Sequence, residues 1–375
     1  MNKKFSVYIH IPFCRSKCGY CDFYSLSGSD EYMHRYFEAL IREIQTFSRE
    51  NTKTVDSIYI GGGTPSYVPA EYIGRILDAL RDGYNLSAGC EISMEANPGT
   101  LDKEKAAFYK EKKISRISLG VQSCSSRLLR VLGRTHTSED VINSIAVLRE
   151  AGISNINTDL MYALPSQTLD EWKDTLRIIA GLSPSHISAY ALTIEEGTPF
   201  FSLYKDEEFD DELDREMYAY VTGELAAHGY RRYEISNFAK NGFECRHNLY
   251  CWQLEEYRGF GAAAHSFCGR TRFSSCADIN EYILQTEAYG SAAADIQQLS
   301  EDDLVSDYCI LALRTSSGIS FEDYQNSFGH DFFDRFGSSA DKLTGDGLLT
   351  VSSSHAVLSS KGFDFANAAM REFLL

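Results

Sequence analysis

Three cysteines stand close together near the start of this 375-residue chain, in the run Cys14-Arg-Ser-Lys-Cys18-Gly-Tyr-Cys21. A C-x3-C-x2-C loop can hold three irons of a [4Fe–4S] cluster through thiolates and leave the fourth iron without a protein ligand. That open corner can grip a small chelating molecule, which points to chemistry beyond electron storage. The spacing suits zinc less well. A closed structural zinc site wants four ligands, usually as two close pairs, and no second C-x2-C pair follows. Three thiols alone could also be buried cysteines with no shared task. The flank argues otherwise, because Tyr8-Ile-His-Ile-Pro-Phe-Cys14 reads as a short strand ending at Pro12, which sets the cysteines on a loop leaving a strand end.

Other residues suited to a ligand also follow strand-like stretches. Gly61-Gly-Gly-Thr64 lets the backbone pass close to a ligand and offer its N–H and C=O groups to the charged ends of an amino acid. It is not a phosphate loop, since no G-K-[ST] follows. Glu95 and Asp159 could cap the next helices, or accept hydrogen bonds from the ribose hydroxyls or amino group of an adenosyl ligand. Gln122 and Arg134 would supply the complementary donors, Arg134 to a carboxylate.

The elements that must position these residues alternate along the first half. Strands are expected over Ser6–Ile11, Ser57–Ile60, Glu91–Met94, Arg116–Leu119, Ile156–Met161 and Ile187–Leu192. Helical patterns lie between them, one opening on the capping box Thr168-Leu-Asp-Glu171. Six strand–helix units with short, mostly apolar strands imply parallel pairing in a partial (β/α)6 TIM-like barrel, with a doubly wound open sheet as the alternative. In such barrels the loops after the strands build the active site. The acidic stretch Asp206–Glu216 reads as a solvated helix face. From about Leu299 helices around Asp302–Leu313 and Phe321–Phe328 precede a hairpin, Gly347–Val351 with His355–Leu358, the pattern of a small winged-helix-like domain. The expected divisions are 1–230 for the barrel core, 231–298 for a region of its own and 299–375 for the C-terminal domain.

Composition bounds the partners. Hydrophobic residues at 43% supply a large core, and a formal net charge of −17 with no basic stripe excludes nucleic acid as the main partner. A docking or lid role therefore suits the C-terminal domain better than DNA binding. Ten cysteines without an export signal, and no apolar run near the ~20 residues of a membrane span, lead to the expectation of a cytoplasmic protein in a reducing compartment.

The residues Tyr8-Ile-His-Ile-Pro-Phe-Cys14, Cys18-Gly-Tyr-Cys21-Asp-Phe, Gly61-Gly-Gly-Thr-Pro65, Glu95-Ala-Asn-Pro98, Ser118-Leu-Gly-Val-Gln-Ser123 and Asp159-Leu-Met-Tyr-Ala-Leu-Pro165 together resemble the radical S-adenosylmethionine (SAM) proteins, and more narrowly the oxygen-independent coproporphyrinogen III oxidase family. The likeness runs from about residue 5 to the C-terminus. It implies that Cys14, Cys18 and Cys21 hold a [4Fe–4S] cluster whose open iron chelates the amino and carboxylate groups of SAM. Tyr8 and Tyr20 would contact that ligand. Gly62, Gly63, Thr64, Glu95, Gln122, Arg134 and Asp159 would line its pocket, and Ala191 is a weaker carry-over. In such proteins an electron passed through the cluster can cleave SAM to methionine and a 5′-deoxyadenosyl radical, which a dry barrel must shelter.

Two departures separate the branches of that family. The oxidases carry a further cysteine two residues after the third cluster cysteine, where this chain has Phe23, and a sizeable extension before the cluster. Both differences favour the haem chaperone (HemW-like) branch. That branch has a C-x-H-N-x-x-Y-W stretch, matched here by Cys245-Arg-His-Asn-Leu-Tyr-Cys-Trp252, with Cys251 in the tyrosine position. His247 is the candidate haem ligand, because imidazole is a common axial ligand to haem iron. The bland alternative is a loop histidine bonded to backbone. His265 is a second candidate, and Cys245 or Cys251 could add a thiolate. Gly259-Phe-Gly-Ala-Ala-Ala-His-Ser266 has Ala263 where a glycine is usual. The resemblance thus implies a protein that binds haem as cargo and passes it to an acceptor such as a respiratory membrane protein, and it leaves a homodimer open. Oxidative decarboxylation of coproporphyrinogen III is the competing activity, and a purely structural iron–sulfur protein the third.

Overall fold

The computed structural model describes residues 4–28, 30–49, 51–207 and 210–375. Polar and apolar residues take turns along six stretches of the first half: Ser6-Val-Tyr8-Ile-His10, Ser57-Ile-Tyr59-Ile-Gly61, Ser93-Met-Glu95, Arg116-Ile-Ser118-Leu-Gly120, Asn155-Ile-Asn157 and His186-Ile-Ser188-Ala-Tyr190. Each lies in a strand: β1 (Phe5–Ile11), β2 (Thr54–Gly62), β3 (Asn85–Ala96), β4 (Arg116–Gln122), β5 (Asn155–Tyr162) and β6 (His186–Ala191). Successive side chains of a strand point to opposite faces, so each strand has one apolar and one polar side. The apolar set, including Val7, Ile9, Ile58, Ile60, Ile117, Leu119, Ile156 and Ile187, joins Tyr36, Leu40, Ile73, Leu77, Leu148 and Leu176 of the surrounding helices in one buried cluster. The polar set is left to fill the barrel interior.

The six strands pair in parallel in chain order. A doubly wound sheet reverses its strand order at a switch point; this one has none, so that alternative falls. The register keeps the polar set in step, with Ser6 beside Ser57, Glu95 beside Ser118, Ser118 beside Asn157 and Asn157 beside His186. The helix before β2, Met33–Ser48, and that before β3, Ala70–Gly83, lie where the pattern places them. Ser138–Glu150 and Leu169–Leu182 open on capping boxes at Thr137 and Thr168. The acidic stretch starts the helix Asp211–Ala227, capped by Asp210.

Residues 231–298 extend the same sheet at both edges. β7 (Arg231–Arg232) and β8 (Asn237–Ala239) run antiparallel beyond β6. On the other side β9 (Glu256–Phe260) pairs in parallel with β1, followed by antiparallel β10 (His265–Cys268), β11 (Thr271–Ser275) and β12 (Ala293–Gln298). β9 is a seventh parallel strand that sequence reasoning misses, since no helix-flanked apolar run announces it. Glu43, fully buried on the helix Met33–Ser48, fastens it. Its carboxylate accepts from Arg258 Nη2 (3.1 Å), Gly261 N (3.1 Å) and Tyr282 OH (2.7 Å).

The C-terminal domain has its own core of Val305, Leu313, Tyr324, Phe332, Phe336, Leu349 and Phe373. Helix Glu301–Leu313, strand Ile319–Ser320, helices Phe321–Phe328 and Phe332–Gly345, then the hairpin Leu349–Val351 and His355–Leu358 give the winged-helix order. The helix Phe332–Gly345 is an addition to the expected pattern. Arg314, just past the first of these helices, lies over the Trp252 ring at 4.4 Å and so ties this domain to the helix Arg246–Trp252.

Ala263 adopts φ +59°, a left-handed conformation that a Cβ disfavours and glycine does not. That conformation accounts for the glycine usual at this place. Ala263→Gly is expected to stabilise the fold by about 1 kcal/mol, read as a rise in the urea midpoint at unchanged slope; an equal or lower midpoint would refute the strain.

Candidate functional site

Parallel pairing sends the C-terminal ends of β1 to β6 to one rim, where the cysteine loop lies. The loop is fixed at several points. Phe13–Cys14 pairs with Leu26–Ser27, Gly63 N and Thr64 N donate to Ile11 O (2.8 Å) and Phe13 O (2.9 Å), and Gly19 N and O bond Leu132 O (3.4 Å) and Phe200 N (2.9 Å). A Cβ on Gly63 would sit 2.8 Å from Phe13 O, and one on Gly62 2.6 Å from the His10 ring, where φ is also +110°. The glycine run therefore serves the close passage of β2 against the cysteine loop.

Beside the loop opens a cavity of about 320 Å³, within the range of small-molecule pockets. Cys14, Cys18, Cys21, Tyr20, Gly62, Gly63, Thr64, Glu95, Gln122, Arg134 and Asp159 all line it. Six separate stretches of sequence meet there. Tyr8 stands one ring back, stacked on Tyr59 (centroids 6.3 Å apart) with its hydroxyl on His10 Nδ1 at 3.1 Å. Ala191 ends β6 outside this lining.

Charge in the cavity is arranged in pairs. Glu95 accepts from Tyr59 OH (3.0 Å) and Gly62 N (3.1 Å), and Asp159 from Ser118 Oγ (2.8 Å) and Asn157 Nδ2 (2.7 Å). Burial and then the neighbouring Asp159 charge push the Glu95 carboxyl up to about 7, against the pull of its own hydrogen bonds. Arg134 gives Nη1 to Asn97 Oδ1 (2.7 Å) and Nη2 to Tyr20 OH (2.8 Å), while its buried Nε–H has no acceptor. A buried donor left over costs about 1–3 kcal/mol, so a ligand acceptor there would be welcomed. Gln122 is turned over the cavity by a left-handed φ of +64°, the kind of strain that collects at binding sites.

The thiols fit the expected cluster in chemistry. Cys14 Sγ lies 3.3 Å from Thr64 Oγ1. Burial raises the Cys14 and Cys21 thiols above their usual range, and the charge that Cys18 would carry raises both further. Positive iron at the loop would reverse that balance and stabilise the thiolates. Among the described residues no three His, Cys, Asp or Glu side chains converge on one metal-ion position; a cubane carries its irons on separate corners and asks for spread thiolates.

The two histidines part company. His247 is buried in the helix Arg246–Trp252, its Nδ1 3.1 Å from Ser57 Oγ and its ring 5.1 Å from that of Tyr59. Ser57 is level with Ser6, at the start of β1, whereas the cysteines follow the end of β1. His247 therefore sits under Tyr59, deep in the barrel, and lines no part of the cavity. Burial, then the Arg116 charge, push its imidazole down to about 3. His265 is exposed at the start of β10. Cys245 is wholly buried and Cys251 is partly buried on the same helix as His247.

Tyr59, Asn97, Ser118 and Tyr190 also line the cavity and are missed by motif reading. Their signal is the strand alternation: Tyr59, Ser118 and Tyr190 occupy the same inward positions as Glu95 and Asp159.

Comparison with known proteins identifies the family. Residues 8–179 match the family model of the radical SAM superfamily, and residues 299–365 that of the HemN C-terminal domain. A protein named heme chaperone HemW from Lactococcus lactis is 34% identical over 100% of this chain and 98% of its own, and one of the same name from Bacillus subtilis is 35% identical over 98% and 99%. The solved structure of coproporphyrinogen III oxidase (HemN) from Escherichia coli, a radical SAM enzyme, superposes with a TM-score of 0.87 at 23% identity, covering 100% of this chain and 90% of that one. The chain belongs to the radical SAM superfamily, in the branch of its relatives named heme chaperone HemW. No helix among the described residues is long and apolar enough to cross a membrane.

A carboxyl whose folded pKa is raised contributes stability that is present in full below its unfolded value of 4.5 and is lost as pH climbs through about 7. Glu95→Gln is therefore expected to gain on the wild type as pH rises from 5 to 8. Urea unfolding at fixed ionic strength checks this, and parallel pH profiles for the two proteins would discard it.

Proposed function

We propose that this protein is a radical SAM haem chaperone: it holds a [4Fe–4S] cluster on Cys14, Cys18 and Cys21, binds SAM in the adjoining cavity, and carries haem to a haem-requiring acceptor such as a respiratory membrane protein. One observation supports the cofactor part most strongly. Three thiols, two bonded carboxylates and an arginine with a spare buried donor line a single cavity. When bound, the cluster would supply a fourth iron for the amino and carboxylate groups of SAM and a route for one electron. Around it Glu95 and Asp159 would accept from the sugar or amino group, Gln122 and Arg134 would donate, and the glycine run would let the ligand lie close to the backbone.

The relatives' names support the haem part. A neutral imidazole is the form that ligates iron, and burial with the Arg116 charge favours that form at His247. For a macrocycle to reach it, the helix Arg246–Trp252 has to withdraw from Ser57 and Tyr59. His265 at the surface needs no such movement.

Anaerobic reconstitution should yield a cubane spectrum in the wild type, and replacing Cys14, Cys18 and Cys21 by serine should abolish both that spectrum and SAM binding. Unchanged iron content in the triple variant would end the cofactor assignment. In a haemin titration, His247→Ala should weaken binding by about tenfold and His265→Ala should not. The reverse outcome would move the ligand to the rim. The oxidase reading has the HemN-like fold in its favour. Incubating reconstituted protein with reductant, SAM and coproporphyrinogen III tests it, and protoporphyrinogen at catalytic yield would overturn the chaperone reading.

A further inference from the structure

Below the cavity a file of buried polar groups runs through the barrel and ends on Ser118 and Asp159 of the pocket lining. Asn157, His186, Ser188 and Tyr233 are almost fully buried. Cys245 N–H, at the start of the helix Arg246–Trp252, donates to Tyr233 OH (3.2 Å). The Tyr233 hydroxyl has its proton free for His186 Nε2 at 2.8 Å. His186 Nδ1 then has to carry the other ring proton, and it faces Asn157 Oδ1 at 2.6 Å, an oxygen that also accepts from Ser188 Oγ (3.2 Å). The amide end of Asn157 donates to Asp159 Oδ1 (2.7 Å) and to Ser118 Oγ (2.6 Å), and Ser118 Oγ donates in turn to Asp159 Oδ2 (2.8 Å). Every donor in the file points toward the carboxylate. Burial and the Arg116 charge keep His186 neutral, far below the usual imidazole range, so its single proton has one place consistent with both neighbours.

Such a one-way chain in a low-dielectric interior is mutually polarising. It also fixes the Asn157 amide, because flipping it would set two donors against each other at His186 and two acceptors at Asp159. Neither the cysteine loop nor the packing of the barrel requires the file. Apolar residues at inward positions would fill the lumen without a desolvation cost, yet four strands or loops contribute polar groups in sequence.

We propose that Tyr233, His186 and Asn157 are positioning residues that orient Asp159 for its ligand and connect it to the start of the helix bearing His247. This rests on the reading of Asp159 as part of the SAM pocket. Two consequences follow. Breaking the file loosens Asp159 and weakens SAM. Filling the pocket steadies Cys245 N–H and the first turn of the helix. Coupling of this kind is reciprocal, so displacement of the helix would be felt at Asp159 as well.

The test uses the full-length, cluster-reconstituted protein under anaerobic conditions, with SAM itself as the probe. In the wild type, saturating SAM should slow amide hydrogen exchange over residues 245–252 at least about threefold. Tyr233→Phe removes both bonds at the hydroxyl, and should weaken SAM binding by about tenfold in equilibrium dialysis and abolish the SAM-dependent protection. His186→Asn keeps a donor near the Nδ1 position but loses the Nε2 acceptor. It should retain more SAM affinity than His186→Leu, which loses both. A merely structural role would lower thermal stability in all three variants without ordering their SAM affinities or removing the protection. SAM bound by the wild type with unchanged exchange over 245–252 would overturn the connection, even if no variant folds. A wild type that builds its cubane and binds no SAM would overturn the pocket reading itself, and the positioning role with it.

Discussion

Seven neighbouring strands run the same way, and most else in the molecule is a consequence. Parallel strands cannot be joined by tight hairpins and need crossovers, usually helices, which cover one face of the sheet. The loops that enter those crossovers all leave from the same edge. Cys14, Gly63, Glu95, Gln122 and Asp159 are brought together by that geometry although they span nearly 150 residues of chain. β9 adds a seventh member on the far side of β1, and its departure loop, Gly261 to Ala264, lies beside His10 and Tyr36 at the same rim, with Ala262 N on Tyr36 OH (3.2 Å). The cysteine loop is thus flanked on one side by β2 and on the other by a strand from the region that separates this branch from a plain barrel.

A closed set of polar inner faces imposes the second constraint. Each buried donor or acceptor must find a partner or pay a desolvation penalty. Glu91 shows how: it is almost fully buried, and accepts from Arg246 N (3.1 Å), Ser93 Oγ (3.3 Å) and the more distant His247 N (3.5 Å). The helix Arg246–Trp252 therefore closes the barrel from below through its own N-terminal amides. Removing Glu91 or Glu43 alone would strand the groups that now point at them, which is why single truncations of such buried charges are costly while their net contribution is modest.

How much of this was legible beforehand depended on whether the signal was local. Caps such as Thr137 and Thr168, glycine turns and the cysteine spacing are short-range, and five of the six strands expected in the first half fall inside observed ones, the sixth overrunning its strand by Leu192 alone. The pocket motifs were legible because each follows a strand end. Tyr59, Ser118 and Tyr190 escaped because their meaning lies in register: a serine or tyrosine inside a strand becomes a lining residue only once parallel pairing puts it on the same face as Glu95 and Asp159. β9 escaped for a related reason, since Glu256–Phe260 is a half-polar run whose only claim to parallel pairing is the vacant edge of β1. His247 is the reverse case. Its type and motif advertised a ligand, and no local feature disclosed that the side chain would be folded under Tyr59.

That depth bears on which reaction the fold can support. The cysteines and the carboxylate pair occupy the upper end of the lumen, and His247 the lower, with the Tyr59 ring between them. A radical formed at the rim acts only on atoms in contact with it, so an oxidase must seat its tetrapyrrole in the upper cavity itself. That cavity, about 320 Å³, is near the lower end of the small-molecule range, and it would have to hold the adenosyl ligand as well. A carrier has no such requirement. If haem is held by His247, the macrocycle needs only that the short helix swing out, and among the groups it abandons Tyr59 donates to Glu95 and Tyr233 reaches Asp159 through His186 and Asn157. Cargo and adenosyl ligand would then compete for one polar scaffold without ever touching.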